Sequence, residues 1–143
     1  MDIDHFKTLN DTYGHLTGDE ILAAVARILV QSIRSIDYAA RYGGDEFIII
    51  LVETSAEQAL KTAERIRSQV ENMRYGSSSS TIALTVSIGI VQCQSGDTTP
   101  TAVFARADRA LYEAKHAGRN RANWAHKGGA SAENSRVPPI VHP

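Results

Sequence analysis

Two carboxylates lie beside two glycines in the tetrapeptide Gly43-Gly44-Asp45-Glu46. Glycine lets the backbone come close to a ligand. Mg²⁺ in proteins is typically held by one or two carboxylates together with phosphate oxygens. The same residues are also common formers of a solvated turn, because glycine and aspartate are frequent there. Taken alone, this segment favours the solvated turn over a metal site.

A second pair of carboxylates opens the sequence, at Asp2 and Asp4. If this segment is the end of a strand beside the predicted turn, Asp2 and Asp45 could share a metal ion. An Asp-x-Asp segment near a terminus is more often simply solvated. The residue types therefore leave both interpretations open.

Apolar residues at helical spacing predict helices over 17–35, 55–73 and 99–118, with a shorter helix over 6–12. Thr17 with Glu20, and Ser55 with Gln58, have capping-box spacing. Thr99 suits the cap of the third helix and Pro100 its first turn, and Gly118 can end it. The predicted buried residues of the second helix are Leu60, Ala63, Ile66 and Val70, and those of the third are Val103, Phe104, Ala107, Ala110, Leu111 and Ala114.

Strands are predicted between the helices. The continuous apolar run 47–52 is typical of a strand buried on both faces. Alternating apolar residues over 82–90 predict a half-buried strand, and 37–42 is a weaker strand. Gly43-Gly44 joins 37–42 to 47–52 as a hairpin. The order of elements predicts an α/β (α+β) fold, with a mixed central sheet flanked by helices.

Composition indicates one ordinary globular domain. The 143 residues are 43% hydrophobic and 22% charged, with a net charge of −1, so no strong field points to a nucleic-acid polymer or a membrane. Cys93 is the single cysteine, which excludes an intrachain disulfide and fits a cytoplasmic location. No apolar run approaches the roughly 20 residues that span a bilayer. We predict a domain over 1–125 and a disordered tail over 126–143, where Gly, Ser and Pro are frequent.

Several blocks together resemble the GGDEF family of diguanylate cyclase domains over about residues 1–124. The blocks, in order, are Asp2-Ile3-Asp4-His5-Phe6-Lys7, Asn10-Asp11, Gly14-His15, Gly18-Asp19-Glu20, Arg41-Tyr42-Gly43-Gly44-Asp45-Glu46-Phe47, Ala107-Asp108, Ala110-Leu111-Tyr112-Glu113-Ala114-Lys115 and Gly118-Arg119-Asn120. The resemblance implies a palm-like nucleotide cyclase fold, in which the hairpin carries the GGDEF turn. It also implies a homodimer that joins two GTP molecules into the bacterial second messenger cyclic di-GMP.

The resemblance also implies roles for individual residues. Asp2, the Ile3 carbonyl, Asp45 and Glu46 are expected to hold Mg²⁺ or Mn²⁺, two ions per site, and Asp45 and Glu46 are the expected catalytic residues. Asn10 and Asp19 match the guanine-reading positions. Phe6 and Lys7, through their backbone, and Lys115 and Arg119 are expected to contact the phosphates. Structural alternatives remain for these residues, because an acid in a helix's first turn and cations in its last turn are favoured by the helix dipole.

A regulatory site is implied by Arg34, Asp37 and Arg65, which match the positions of the family's product-inhibition site. Arginine can bind the O6/N7 edge of guanine with two hydrogen bonds. The alternative is a solvated, charged helix end.

Family members have an initial helix and an apolar strand before the position of Asp2. The resemblance therefore implies that this sequence lacks the first helix and most of the first strand, and that a longer protein could be membrane-tethered there. Two other functions stay open: a truncated or inactive module that binds cyclic di-GMP or GTP without turnover, and a related cyclase or polymerase palm.

Overall fold

The computed structural model of the chain describes residues 1–77 and 80–125. The predicted tail, 126–143, lies outside the described residues. Four helices and seven strands are described: β1 (Asp2–Ile3), α1 (Phe6–Tyr13), α2 (His15–Ser32), β2 (Tyr38–Gly43), β3 (Glu46–Ile50), α3 (Ala56–Glu71), β4 (Tyr75–Ser77), β5 (Ser80–Ile82), β6 (Val86–Ile90), α4 (Pro100–His116) and β7 (Arg121–Trp124). None of the described helices is long and apolar enough to cross a membrane.

Five strands form one mixed sheet in the order β2-β3-β1-β6-β7, and β4 pairs with β5 separately. All neighbours in the large sheet are antiparallel except β6 and β7. The mixed sheet flanked by helices, and the hairpin with Gly43-Gly44 at its turn, confirm the predicted fold class. The strand predicted over 82–90 is wrong in its extent, because β5 and β6 belong to different sheets.

Helices cover the two faces of the sheet differently. Ile88 and Ile90 of β6 lie in the core with Ile66 and Val70 of α3. Gly89, between them, points to the opposite face, where an added Cβ would lie 2.3 Å from the Ala107 carbonyl oxygen of α4. Consequently α3 packs on one face of β6 and α4 on the other.

The strand predicted to be buried on both faces is exposed on one of them. In β3, Phe47 is buried, whereas Ile50 is 55% exposed. Helix α4 contacts β6 and β7, while β3 lies one strand from the sheet edge, where helices cover only one face. The prediction failed because an apolar run does not reveal how far the covering helix extends.

The start of α2 also differs from the prediction. Gly14, with a φ of 84° and a ψ of 157°, turns the chain directly from α1 into α2, so the helix begins at His15. No side chain caps it, and the predicted capping box of Thr17 and Glu20 is wrong because both residues lie inside the helix. The helix ends at Ser32, since Ile33 is extended.

The other two long helices follow the sequence more closely. Ser55 and Gln58 form the predicted capping box of α3, and Thr99 caps α4 ahead of Pro100. Leu60 was wrongly predicted as buried, because the apolar stripe of α3 passes through Ala59 instead. In α4, Ala110 and Ala114 are buried, Val103, Ala107 and Leu111 are half-buried, and Phe104 is exposed and stacks on Tyr42.

Candidate functional site

Strand β1 brings the first carboxylate to the hairpin turn. Asp2 is the direct partner of Glu46 on β3, so both side chains lie on the same face of the sheet, the face covered further along by α4. The Ile3 N–H donates to the Asp45 carbonyl oxygen at 3.2 Å. Two acidic segments far apart in sequence therefore meet at one end of the sheet, as predicted for a shared site.

Helix α4 adds a cation to this cluster. Lys115 Nζ lies 2.7 Å from Asp2 Oδ2, and Asp2 is a buried residue. Burial raises the pKa of the Asp2 carboxyl and the nearby Asp45 carboxylate adds to that rise, while the hydrogen bond and charge of Lys115 oppose it. The positive charge of Lys115 thus offsets part of the negative charge of the Asp2 and Asp45 carboxylates.

The carboxylates suit a metal ion that arrives with phosphate. Within residues 1–77 and 80–125, no group of three or more His, Cys, Asp or Glu side chains is placed to hold a metal ion. Mg²⁺ usually needs only one or two carboxylates when phosphate oxygens complete its coordination. Asp2, half-buried Asp45 and exposed Glu46 meet that requirement, and a cation between them would offset their mutual repulsion.

The first turn of α1 lies immediately beyond β1. Phe6 is buried in the core and Lys7 is exposed, so their side chains point in different directions. Their backbone N–H groups belong to the first turn, whose amides have no acceptor within the helix. This helix start is therefore placed to offer amides to an anion near Asp2.

Close packing of α1 against α2 places the two predicted guanine-reading residues. A Cβ on Gly18 would lie 1.8 Å from Asn10 Oδ1, so any side chain there would displace the Asn10 side chain. Asn10 Oδ1 is buried and has no hydrogen-bond partner in the described part of the chain. Asp19 follows Gly18 and is exposed. Because α2 begins at His15, Asp19 lies beyond the first turn, which contradicts its alternative role as a first-turn acid.

A tight turn after α4 carries Arg119. Gly118 has a φ of 109°, and the Arg119 N–H donates to the Ala114 carbonyl oxygen at 3.0 Å, which ends the helix. Arg119 is half-buried and lies four residues after Lys115, beyond the last residue of α4, so both cations belong to the C-terminal end of this helix. Lys115 is also in the last turn, so its favourable interaction with the helix dipole stands beside the predicted role.

The predicted regulatory residues also converge. Arg34 and Asp37 form an ion pair, with Arg34 Nη2 at 3.1 Å from Asp37 Oδ1. Arg65 on α3 donates to the carbonyl oxygen of Ser32, at the end of α2 and two residues before Arg34. Burial is the largest single contribution and raises the pKa of Asp37, but hydrogen bonds from the Arg34 side chain and from the Arg34 and Val52 N–H groups outweigh it and lower that pKa. The Arg34 side chain remains 53% exposed, so it can still meet a ligand.

Two residues at the site had no role in the sequence interpretation. Asp4 is a buried carboxylate with three hydrogen-bond donors, and Gly18 is the contact between α1 and α2. A glycine inside a helical pattern is a recognisable signal of close packing. The sequence indicated Asp4 only as a carboxylate beside Asp2 and gave it no role of its own, because its partners are distant in sequence.

Comparison with known proteins settles the family. Residues 1–121 match the family described as "Diguanylate cyclase, GGDEF domain". The chain belongs to the GGDEF family. This GGDEF domain is 47% identical over 121 residues to diguanylate cyclase A of Treponema denticola, covering 85% of this chain and 33% of that protein. It is 49% identical over 122 residues to diguanylate cyclase DosC of Escherichia coli K12, covering 85% of this chain and 26% of that protein.

A solved structure is similar as well. The GGDEF domain of DgcB from Caulobacter crescentus, determined in complex with c-di-GMP, superimposes with a TM-score of 0.82 at 40% identity. That match covers 87% of this GGDEF domain and 74% of the solved chain. Against the two curated cyclases, the chain spans a third or less of their length.

Proposed function

We propose that this GGDEF domain is a catalytic domain that condenses two GTP molecules into cyclic di-GMP. The 3′-hydroxyl of each GTP would attack the α-phosphate of the other, forming two phosphodiester bonds and releasing two pyrophosphates. The relatives named as diguanylate cyclases support the reaction class.

One observation carries the proposal: Asp2, Asp45 and Glu46 meet at one end of the sheet beside Lys115. Cations held there would neutralise phosphate charge and lower the pKa of the attacking hydroxyl. The carboxylates and the Ile3 carbonyl would hold two ions, Mg²⁺ or Mn²⁺, and Glu46, exposed on the same face as Asp2, would stand next to the hydroxyl. Lys115, Arg119 and the amides of Phe6 and Lys7 would bind the phosphates.

The direct experiment incubates the purified chain with GTP and Mg²⁺ and separates the nucleotides by chromatography. We expect cyclic di-GMP and pyrophosphate in the parent, and loss of both in Asp45→Ala. Asp45 contacts Ile3 through its backbone, which the substitution retains, so the circular dichroism spectrum should not change.

Glu57→Ala is the matched control, because Glu57 is an exposed carboxylate on α3 that pairs with Lys61 away from the site. It should retain full turnover. Undiminished product formation by Asp45→Ala at saturating Mg²⁺ would contradict the metal assignment. A parent that binds GTP or cyclic di-GMP but forms no product would be the binding module instead.

We also propose that Arg34, Asp37 and Arg65 bind the product and mediate feedback inhibition. Arg34 follows the end of α2, and Arg65 on α3 donates to the Ser32 carbonyl oxygen there. Both are exposed residues, although Arg34 Nε and Nη2 already donate to Asp37, and a guanidinium group suits the planar edge of guanine. Product bound there would inhibit by favouring an arrangement of two domains that keeps the GTP molecules apart, which requires different affinities for the two arrangements.

Replacement of Arg34 tests the regulatory site. We expect Arg34→Ala to bind cyclic di-GMP about tenfold more weakly, the loss of roughly one charge-assisted hydrogen bond, and to resist inhibition while its initial rate is retained. Calorimetric titration and initial rates with added product are the measurements. Arg27→Ala, an exposed arginine on α2, is the control. Equal product affinity and equal inhibition in parent and Arg34→Ala would refute the assignment.

A further inference from the structure

The turn that carries Arg119 is a strained segment. Gly118, Arg119 and Asn120 have φ values of 109°, 62° and 46°, so three successive residues adopt the left-handed region. For a non-glycine residue, such a conformation is strained and persists only where surrounding contacts enforce it. Something outside the turn must therefore hold Arg119 in place.

Besides the hydrogen bonds that Arg119 makes with the Ala114 carbonyl oxygen and the Arg121 side chain, two sets of contacts hold the turn through Asn120. On the backbone, the Asn120 N–H donates to Asp4 Oδ2 at 3.1 Å. On the side chain, Asn120 Nδ2 donates to Glu71 at 2.7 Å, and Arg67 donates to Asn120 Oδ1 at 2.9 Å. The backbone contact links the turn to Asp4, directly after β1, and the side-chain contacts link it to α3.

Asp4 can hold the turn because its own side chain is fixed by hydrogen bonds. The residue is 6% exposed, and its carboxylate accepts from Thr85 Oγ1 and Ser87 Oγ, each at 2.7 Å. Its own N–H donates to the Thr85 carbonyl oxygen at 3.0 Å. Two residues earlier on the same segment, Asp2 pairs with Glu46 at the metal-binding end of the sheet.

We propose that Asp4 is a positioning residue that fixes Arg119, through Asn120, relative to the metal-binding end of β1. The inference rests on the proposed function, which gives Arg119 its role as a phosphate ligand. Asp4 does not touch substrate. Its buried carboxylate lies directly after β1, which carries Asp2, and accepts from the Asn120 N–H in the turn that carries Arg119. Asp4 thereby aligns the proposed phosphate ligand with the carboxylates at the end of the sheet.

The proposal predicts a selective defect in Asp4→Asn. The amide keeps the size of the carboxylate, but it has one acceptor oxygen where Asp4 uses two, and it lacks the negative charge that strengthens the hydrogen bond from the Asn120 N–H. The turn should loosen, and affinity for the terminal phosphates should fall while guanine binding is spared. A purely structural role would weaken all nucleotides equally.

The test compares calorimetric affinities for two probes in Mg²⁺. One is 3′-deoxy-GTP, which has the triphosphate but lacks the attacking hydroxyl, and the other is GMP. In Asp4→Asn we expect the Kd for 3′-deoxy-GTP to rise about tenfold, as for one lost charge-assisted hydrogen bond, and that for GMP to stay within about twofold. In an Arg119→Ala background, Asp4→Asn should raise the Kd for 3′-deoxy-GTP only slightly further, because both changes affect the same interaction.

Asp97→Asn is the matched control. Asp97 lies in the loop before α4 and is also a hydrogen-bonded carboxylate, which pairs with Arg106 of α4. It should leave the ratio of the two affinities unchanged. Equal weakening of both probes by Asp4→Asn, or an additive effect with Arg119→Ala, would overturn the positioning role.

A readout independent of nucleotide separates this inference from the proposed function. Hydrogen exchange of the Asn120 amide should accelerate in ligand-free Asp4→Asn, even if the parent makes no cyclic di-GMP, and an unchanged rate would overturn the inference. If Asp4→Asn does not fold, Ser87→Ala replaces it, since it removes a hydroxyl that immobilises the Asp4 carboxylate. Selective weakening of 3′-deoxy-GTP would then support the inference, and equal weakening of both probes would reject it.

Discussion

Asn10 and Asp19 are the residues proposed to read guanine, and they differ in the chemistry they could offer. Asn10 has a buried acceptor without a partner in the described part of the chain, whereas Asp19 is an exposed carboxylate. A carboxylate can accept from the N1–H and 2-amino groups of guanine, which adenine does not present together. A site built around such hydrogen bonds rejects a base that lacks them, because its polar groups would be left unpaired.

We therefore expect the parent to turn over GTP in preference to ATP, and Asp19→Ala to lose much of that preference. The measurement is kcat/KM for both nucleotides in the parent and the variant. Asp11→Ala, which removes an exposed carboxylate from α1, is the control and should keep the parent's selectivity. Unchanged selectivity in Asp19→Ala would show that another group reads the base.

At the residue scale, the sequence identified charged residues that lie within family motifs. The resemblance named Asp2, Asp45 and Lys115 as site residues, and the structure brings them together. Their roles stay predictions until the variants are measured. Asp4 could not be identified in this way, because its function depends on Thr85, Ser87 and Asn120, which are distant in sequence and ordinary in type.

At the scale of elements, the contact between α4 and β6 determines where Lys115 lies. Gly89 lets the helix approach so closely that an added Cβ would lie 2.3 Å from the Ala107 carbonyl oxygen and 2.6 Å from the Leu111 nitrogen. Both contacts are with backbone, which cannot move aside as a flexible side chain would. The position of α4, which carries Lys115, thus depends on Gly89 having no side chain.

Gly89→Ala should consequently destabilise the protein by about 1–3 kcal/mol, the usual cost of overpacking. Urea unfolding followed by circular dichroism measures the change. Gly96→Ala is the control, since a Cβ at that loop position meets nothing within 4 Å and should be nearly neutral. Equal stability of the parent and Gly89→Ala would mean that α4 tolerates displacement from the sheet.

Helix ends and strand exposure differ in how well sequence predicts them. Caps encoded by neighbouring residues, such as Ser55 with Gln58 and Thr99 before Pro100, were predicted correctly. The start of α2 was wrong because the backbone of Gly14, rather than a side chain, begins the helix. The exposure of Ile50 was wrong because it depends on which strands α4 covers, a tertiary property.

At the scale of the whole molecule, the proposed reaction needs two domains. One site holds one GTP, so the two reacting nucleotides would meet across a two-fold axis between identical chains. Encounter of two free domains depends on concentration, and we expect specific activity to rise with protein concentration in the dilute range. Initial rates over a dilution series measure this. A flat dependence would indicate that one chain suffices, or that the dimer is already complete.

The path of the chain has a consequence for folding. The hydrogen bond between Asp4 and Asn120 joins residues 116 positions apart, whereas the backbone hydrogen bonds within α2 and α3 join residues four positions apart. Contacts between distant segments form only after the entropy of closing a long loop has been overcome. A partly folded chain can therefore hold its helices while lacking the Arg119 turn. The proposed phosphate-binding side of the site would then be completed late in folding.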